Sequence, residues 1–183
     1  EKEKTLPKMN ESQLEDEFIR KILAILGHSY TVQAPILSGF GRFKIPDYVF
    51  FTNDGAKGVA DAIRESEPEQ FYRSAVGIGE AKEWKVDLDN KPSVQIMTYL
   101  KFGNARWGIL TNGRKWRLYC RESRVDCYYE FDLLNNLSDG AEGSFNYFFM
   151  FFAREAFVPG PGGRCFLDDV LDGSLRFAKQ LED

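Results

Sequence analysis

The chain has 183 residues, 43% hydrophobic and 15% aromatic, with a net charge of −4 at pH 7. That length suits one domain with a real core, and no run approaches the roughly 18 apolar residues of a membrane span. An acidic balance excludes a general nucleic-acid coat, for which a strongly basic domain is expected.

The opening EKEKTLPKMNESQ has no apolar stretch after its lysines, so it is not a signal peptide and a cytoplasmic location is expected. Cys120, Cys127 and Cys165 form no Cys-x-x-Cys pair and His28 is the single histidine. A zinc site, a disulfide framework and histidine-based catalysis therefore have little support. The thiols read as free, and His28, after Gly27, reads as a helix-end or surface residue.

Residues 1–10 read as a disordered leader. Ser12 opens a helix with Glu15 in capping-box spacing, and Leu14, Phe18, Ile22 and Ile25 recur at helical spacing up to Gly27. Tyr30 to Leu37 and Lys44 to Phe51 read as strands around a Gly39-Phe40-Gly41 turn. A polar helix is expected over 56–72, a third strand from Ala75 to Glu83, and a helix from Pro92 to about Phe102.

Trp107 to Thr111 and Lys115 to Cys120 flank Asn112-Gly113, a strong hairpin signal. Tyr128 to Leu133 supplies a further strand, and 142–157 an aromatic helix. Pro159-Gly160-Pro161-Gly162-Gly163 interrupts regular structure, and Leu167 to Leu181 reads as an amphipathic helix. This order predicts an α/β sandwich around a mixed sheet.

The chemistry concentrates in Pro46-Asp47, Glu80-Ala81-Lys82 and Gln95-Ile96-Met97-Thr98-Tyr99. Three acidic-x-Lys matches exist, the others being Glu83-Trp84-Lys85 and Asp89-Asn90-Lys91. Val76, Ile78, Glu80 and Lys82 share strand parity, so carboxylate and ammonium leave one face. Gly77, Gly79 and Ala81 are small on the other, which would let a helix approach. A hard cation such as Mg²⁺ binds through one or two carboxylates plus substrate phosphate. Asp47 and Glu80 are its candidate ligands, and Lys82 would orient or deprotonate the attacking water. The alternative is an ordinary exposed aspartate and a surface Glu–Lys pair.

Gln95 and Tyr99, spaced i,i+4, share a helical face. They could reach the metal cluster, a phosphate or a base, or be a satisfied glutamine and a buried tyrosine. Glu11 and Glu15 also share a face; Glu15 lies beside the apolar stripe and has either a site partner or an exposed capping role. Residues 101–124 carry seven Lys or Arg against Glu122 alone, a net +6. Arg114, Lys115 and Arg117 are its DNA-binding candidates, and a solvated hairpin face is the alternative.

The order Pro-Asp, Glu-x-Lys, Gln-x-x-x-Tyr resembles the PD-(D/E)XK nuclease superfamily, in the branch with a RecB-like glutamine–tyrosine helix. Glu11-Ser12-Gln13-Leu14-Glu15 with Leu26-Gly27 looks like the opening of type I restriction motor subunits. Pro92 to Gln95, WGILTNGRKWRLY (107–119) and YYEFDL (128–133) look like the amino-terminal nuclease region of type IIG restriction–modification enzymes.

The resemblance covers 11–157. It implies a restriction-endonuclease-like three-layer sandwich and Mg²⁺-dependent hydrolysis of double-stranded DNA, with Mn²⁺ able to substitute. By the same resemblance Asp47 and Glu80 bind metal, Lys82 positions water, and Gln95, Tyr99 and Glu15 are auxiliary. Residues 158–183 would lead toward methyltransferase and target-recognition domains of the same polypeptide.

The chain has no adenine methyltransferase motif and no glycine-rich cofactor loop of ordinary spacing, so S-adenosylmethionine is not expected to bind it. One departure is the 32 residues between Asp47 and Glu80, where compact members have a short turn. Two alternatives remain: a non-catalytic DNA-positioning or docking module, and the nuclease domain of a type I motor subunit.

Overall fold

The computed structural model describes residues 5–37, 43–137 and 142–182. A six-stranded mixed sheet runs through it in the order β1-β4-β5-β6-β7-β8. The strands are β1 (Ser29–Val32), β4 (Tyr48–Phe51), β5 (Gly77–Ala81), β6 (Trp107–Thr111), β7 (Lys115–Cys120) and β8 (Tyr128–Asp132). Only the β5–β6 pair is parallel; the β1–β4, β4–β5, β6–β7 and β7–β8 pairs are antiparallel. A separate two-stranded ribbon joins β2 (Ile36–Leu37) to β3 (Phe43–Lys44).

Helix α1 spans 11–25 as Glu11–Leu14, a π-helical Glu15–Ile19 and Arg20–Ile25. Its cap lies two residues before the expected one. The Asn10 side chain accepts from Gln13 N–H at 2.9 Å, and the Gln13 side chain accepts from Asn10 N–H at 3.2 Å. The π turn adds a residue to the repeat. The buried stripe is therefore Leu14, Ile19, Leu23 and Leu26 rather than the expected 14, 18, 22, 25, and Ile25 is 68% exposed.

The two strands expected at 30–37 and 44–51 are each broken. Gln33 takes a left-handed φ of 49°, ending β1. Pro46 offers no N–H to a ladder, which separates β3 from β4 and leaves Asp47 at the break. The Gly39-Phe40-Gly41 turn lies outside the described residues.

The helix expected over 56–72 is two helices, α2 (Asp54–Ile63) and α3 (Pro68–Arg73), the second opened by Pro68. Helix α4 (Lys91–Phe102) joins β5 to β6. After β8 come α5 (Leu133–Leu137), α6 (Glu142–Phe152), α7 (Arg154–Phe157) and α8 (Phe166–Glu182).

The layers follow from strand parity. Tyr48, Phe50, Ala81, Ile109, Trp116 and Leu118 pack with Leu14, Ile19, Phe152 and Phe157 in one core. Val49, Phe51, Ile78 and Leu110 pack with Ala60, Phe71, Ile96 and Leu100 in the other. The result is the three-layer α/β sandwich expected, with α2–α4 on one face and α1 and α6–α8 on the other. Among the described residues no helix is long and apolar enough to cross a membrane.

Three further expectations change. Leu6, in the supposed leader, is buried in the core from a short 3₁₀ helix, Leu6–Lys8. At the other end the packed body runs past 157: Cys165 and Leu167 are buried, and Asp168 accepts from Trp107 Nε1 at 2.9 Å and pairs with Arg106. His28 is not on the surface. It is buried against Phe50 and Phe157, its Nε2–H donates to the Phe152 carbonyl at 2.7 Å, and burial lowers its pKa to about 4.

The small residues of β5 admit rings rather than a helix backbone. A Cβ at Gly79 would lie 2.8 Å from Phe50 Cζ and 3.1 Å from Tyr48 Cβ, and both rings are fully buried. Gly79→Ala should therefore lower unfolding stability by about 1–3 kcal/mol through overpacking. Urea denaturation measures this, and an unchanged midpoint would contradict it.

Candidate active site

Asp47 and Glu80 are brought together by the β4–β5 register. Tyr48 pairs with Gly79 in that antiparallel ladder, so continuing it by one residue sets Asp47 opposite Glu80. Asp47 Oδ2 accepts the Ala81 N–H at 2.8 Å, which holds this carboxylate at the strand edge. The insertion between the two acids does not separate them. Its first helix, α2, packs back on the outer strands, with Asp61 accepting from Thr31 Oγ1 at 2.5 Å and pairing with Lys57 at 2.8 Å.

Glu80 is 3% exposed, and its Oε2 has no hydrogen-bond partner. Its pKa rises to about 8, first from burial and then from the Asp47 charge, with Lys82 working the other way. A hydrogen bond between the two carboxyls requires a proton on one of them. As carboxylates, they leave Oε2 without compensation.

Lys82 does share Glu80's face: Nζ lies 2.5 Å from Glu80 Oε1. It also lies 4.0 Å from Glu11 Oε2. Glu80, Glu11 and Asp47 outweigh the desolvation that would lower its pKa, so the lysine is held above its ordinary value and stays cationic.

Glu11 joins the cluster from outside the Pro-Asp, Glu-x-Lys and Gln-x-x-x-Tyr motifs, on the helical face it shares with Glu15. Its own pKa is raised by burial, opposed by Lys82 and reinforced by Asp47 and Glu83. Its sequence signal was the i,i+4 spacing to Glu15 in the first turn of a helix. Glu15 itself is neither exposed nor a cap. It is 9% exposed and accepts from Tyr48 Oη at 2.5 Å, with Arg20 at 3.8 Å. Burial raises its pKa; it braces α1 on β4 beside the cluster.

Gln95 and Tyr99 meet as their spacing implies: Gln95 Nε2 donates to Tyr99 Oη at 2.7 Å. Tyr99 Oη in turn donates to the Ile45 carbonyl at 3.2 Å, two residues before Asp47. The pair thus anchors the chain break that presents Asp47. Burial raises the Tyr99 pKa, and the negative charges of Glu80 and Asp47 add to that shift, so the phenol borders the cluster.

The hairpin cations are arranged differently from the expectation. Arg117 is 2% exposed, bonded to Glu130 at 2.6 Å and Asp89 at 2.7 Å, and stacked on Tyr128. Its guanidinium is spent within the fold and cannot meet a phosphate. Arg114 pairs with Asp132 at 2.9 Å and Lys115 with Glu130 at 3.0 Å, so both remain at the surface but neutralised. Of the decoy motifs, Glu83 and Lys85 are exposed beyond β5, and Asp89 is the partner of Arg117.

Among the described residues no three His, Cys, Asp or Glu side chains form a metal-holding group. The Asp47–Glu80 pair fits a hard cation that completes its shell with water and phosphate. The uncompensated Glu80 Oε2 is the atom that such a charge would satisfy.

No family model matches the chain, and no curated protein does. Among solved structures, a cryo-EM structure of a DrdV–DNA complex is similar at 15% identity with a TM-score of 0.42. The match covers 72% of this chain and 10% of that one, so the chain spans about a tenth of that chain's length. A likeness so distant bears on no residue's role.

A carboxyl whose pKa is raised on folding contributes stability below its unfolded value, near 4.5, that is lost as pH climbs through about 8. Glu80→Gln cannot ionise, so without metal it should gain on the wild type between pH 5 and pH 8.5. For a chain this size each kcal/mol is about 2–4 °C in Tm, and thermal melts across that range read the gap. A gap independent of pH would show that folding does not raise the Glu80 pKa.

Proposed function

We propose that the chain is a Mg²⁺-dependent nuclease domain that hydrolyses phosphodiesters of double-stranded DNA. In this reading it is a PD-(D/E)XK enzyme of the type IIG restriction–modification kind. The observation that carries it is the juxtaposition of Asp47 and a buried, uncompensated Glu80 beside a cationic Lys82. A structural ion pair has no need of a second carboxylate opposite the first, because that acid raises the cost of ionising Glu80.

Asp47 and Glu80 would hold the cation, Mg²⁺ or Mn²⁺, Asp47 through the oxygen not engaged with Ala81 N–H. When bound, the cation lowers the pKa of water and offsets phosphate charge. Lys82, held cationic by three carboxylates, orients the attacking water and balances developing negative charge; as an ammonium it is no base. Gln95 and Tyr99 fix the 45–47 segment, and Glu15 fixes α1 against β4. Methyltransferase and target-recognition domains would belong to the remainder of such a polypeptide, and S-adenosylmethionine to them.

A docking role has one observation in its favour. Helix α6 buries Phe148 and Phe152 but leaves Phe145, Tyr147, Phe149 and Met150 between 41% and 59% exposed, a surface suited to another domain. It is compatible with catalysis at the opposite face.

Plasmid cleavage in Mg²⁺ tests the main reading, together with the Tm shift that Mg²⁺ produces. Lys82→Ala should lose about 10²–10³-fold in rate and keep the shift, whereas Asp47→Ala should lose both. Equal cleavage by all three proteins would remove these residues from the chemistry.

A further inference from the structure

The hairpin is not the cationic surface that its sequence suggests, and this leaves open where a polyanion could lie. Of the seven cations in 101–124, Arg106, Arg114, Lys115, Arg117, Arg121 and Arg124 all carry carboxylate partners. Lys101 does not, and neither does Lys91 on the same helix, α4, among the described residues. Both lysines are exposed. Ten residues of helix set them about 15 Å apart, the rise of about four nucleotides along one DNA strand.

A groove of about 380 Å³ is lined by Lys91, Val94, Gln95, Thr98 and Tyr99, and Lys101 follows Thr98 by three residues, the spacing of neighbours on one helical face. The groove abuts the carboxylate cluster through Tyr99. Gln95 uses one N–H on Tyr99, and an amide nitrogen has two, so one remains to be offered. The Thr98 hydroxyl is engaged with the Val94 carbonyl at 2.7 Å and has no proton to give. Val94 is 55% exposed, an apolar spot amid polar neighbours. The N-cap residue of this helix, Asn90, makes no side-chain cap and the first turn holds no acidic residue, so the positive end of the helix dipole lies beside Lys91 without a carboxylate from its own first turn.

We propose that this outer flank of α4 is the track for the sugar–phosphate backbone of the DNA strand entering the Asp47–Glu80 cluster. Lys91 and Lys101 contact phosphates at its two ends, Gln95 donates between them, and Val94 packs on deoxyribose. The track rests on the nuclease reading for its ligand, but it makes a separate claim about binding.

Fluorescence anisotropy of a short DNA duplex over a salt series, without divalent metal, tests it on the 183-residue chain. Lys91→Glu combined with Lys101→Glu should weaken binding at least about tenfold. It should also reduce the slope of log K against log salt by about two, near 0.9 for each phosphate contact. Lys179→Glu, on α8 at the other face, should leave both unchanged, and circular dichroism of the exposed-site variants should match the wild type.

Binding lost in the double variant while the wild type fails to cut DNA with Mg²⁺ would keep the track and sink the nuclease reading. Cleavage by the wild type with unaltered binding in the double variant would sink the track alone. No measurable DNA binding by the wild type would overturn it as well.

Discussion

Strands β4 and β5 pair with Tyr48 opposite Gly79, and the candidate site depends on that register. One residue further along, the ladder would bring two carboxylates face to face at the edge of a hydrophobic layer. Gly79 makes the pairing possible, because its missing side chain leaves room for the Phe50 ring over β5. A shift by one residue would turn Phe50 and Tyr48 onto the other face. The same shift would move Asp47 out of line with Glu80.

The rest of the molecule works to hold that edge in place. Helix α4 is tied down at three points: Tyr99 reaches the Ile45 carbonyl, and Ser93 Oγ meets both the Leu88 carbonyl and Tyr119 Oη. From the other layer, α1 delivers Glu11 toward Lys82 and braces itself through Glu15 and Tyr48. Its π turn matters because it rotates the buried stripe by one position. That lets Leu14 and Ile19 both reach the core while Glu15 faces β4.

Charge is distributed with the same economy. Carboxylates are concentrated where burial makes them expensive, around Lys82, while the arginines of the hairpin are closed off by Asp89, Glu122, Glu130 and Asp132. Exposed pairs of that kind contribute little stability. Arg117 differs, since it is enclosed and fastens the loop after Lys82 to β7 through Asp89. The net charge of a segment therefore says less about a polyanion surface than the pairing state of each cation.

The amino-acid sequence by itself determined the local elements whose signals are local. Asn112-Gly113 set the β6–β7 hairpin, with the two strands at their expected bounds. Strand parity put Glu80 and Lys82 on one face, and i,i+4 spacing joined Gln95 to Tyr99. Only the tertiary structure decided what depended on partners distant in the chain. It buried His28 under Phe152, split the 30–37 and 44–51 strands, moved the α1 stripe through the π turn and paired the hairpin arginines with acids.

The Asp47–Glu80 meeting lies between these cases. Both residues were legible as site candidates, but with 32 residues between them nothing local relates them. The β4–β5 ladder does, and its register is chosen by the packing of Tyr48, Phe50 and Gly79 rather than by either carboxylate.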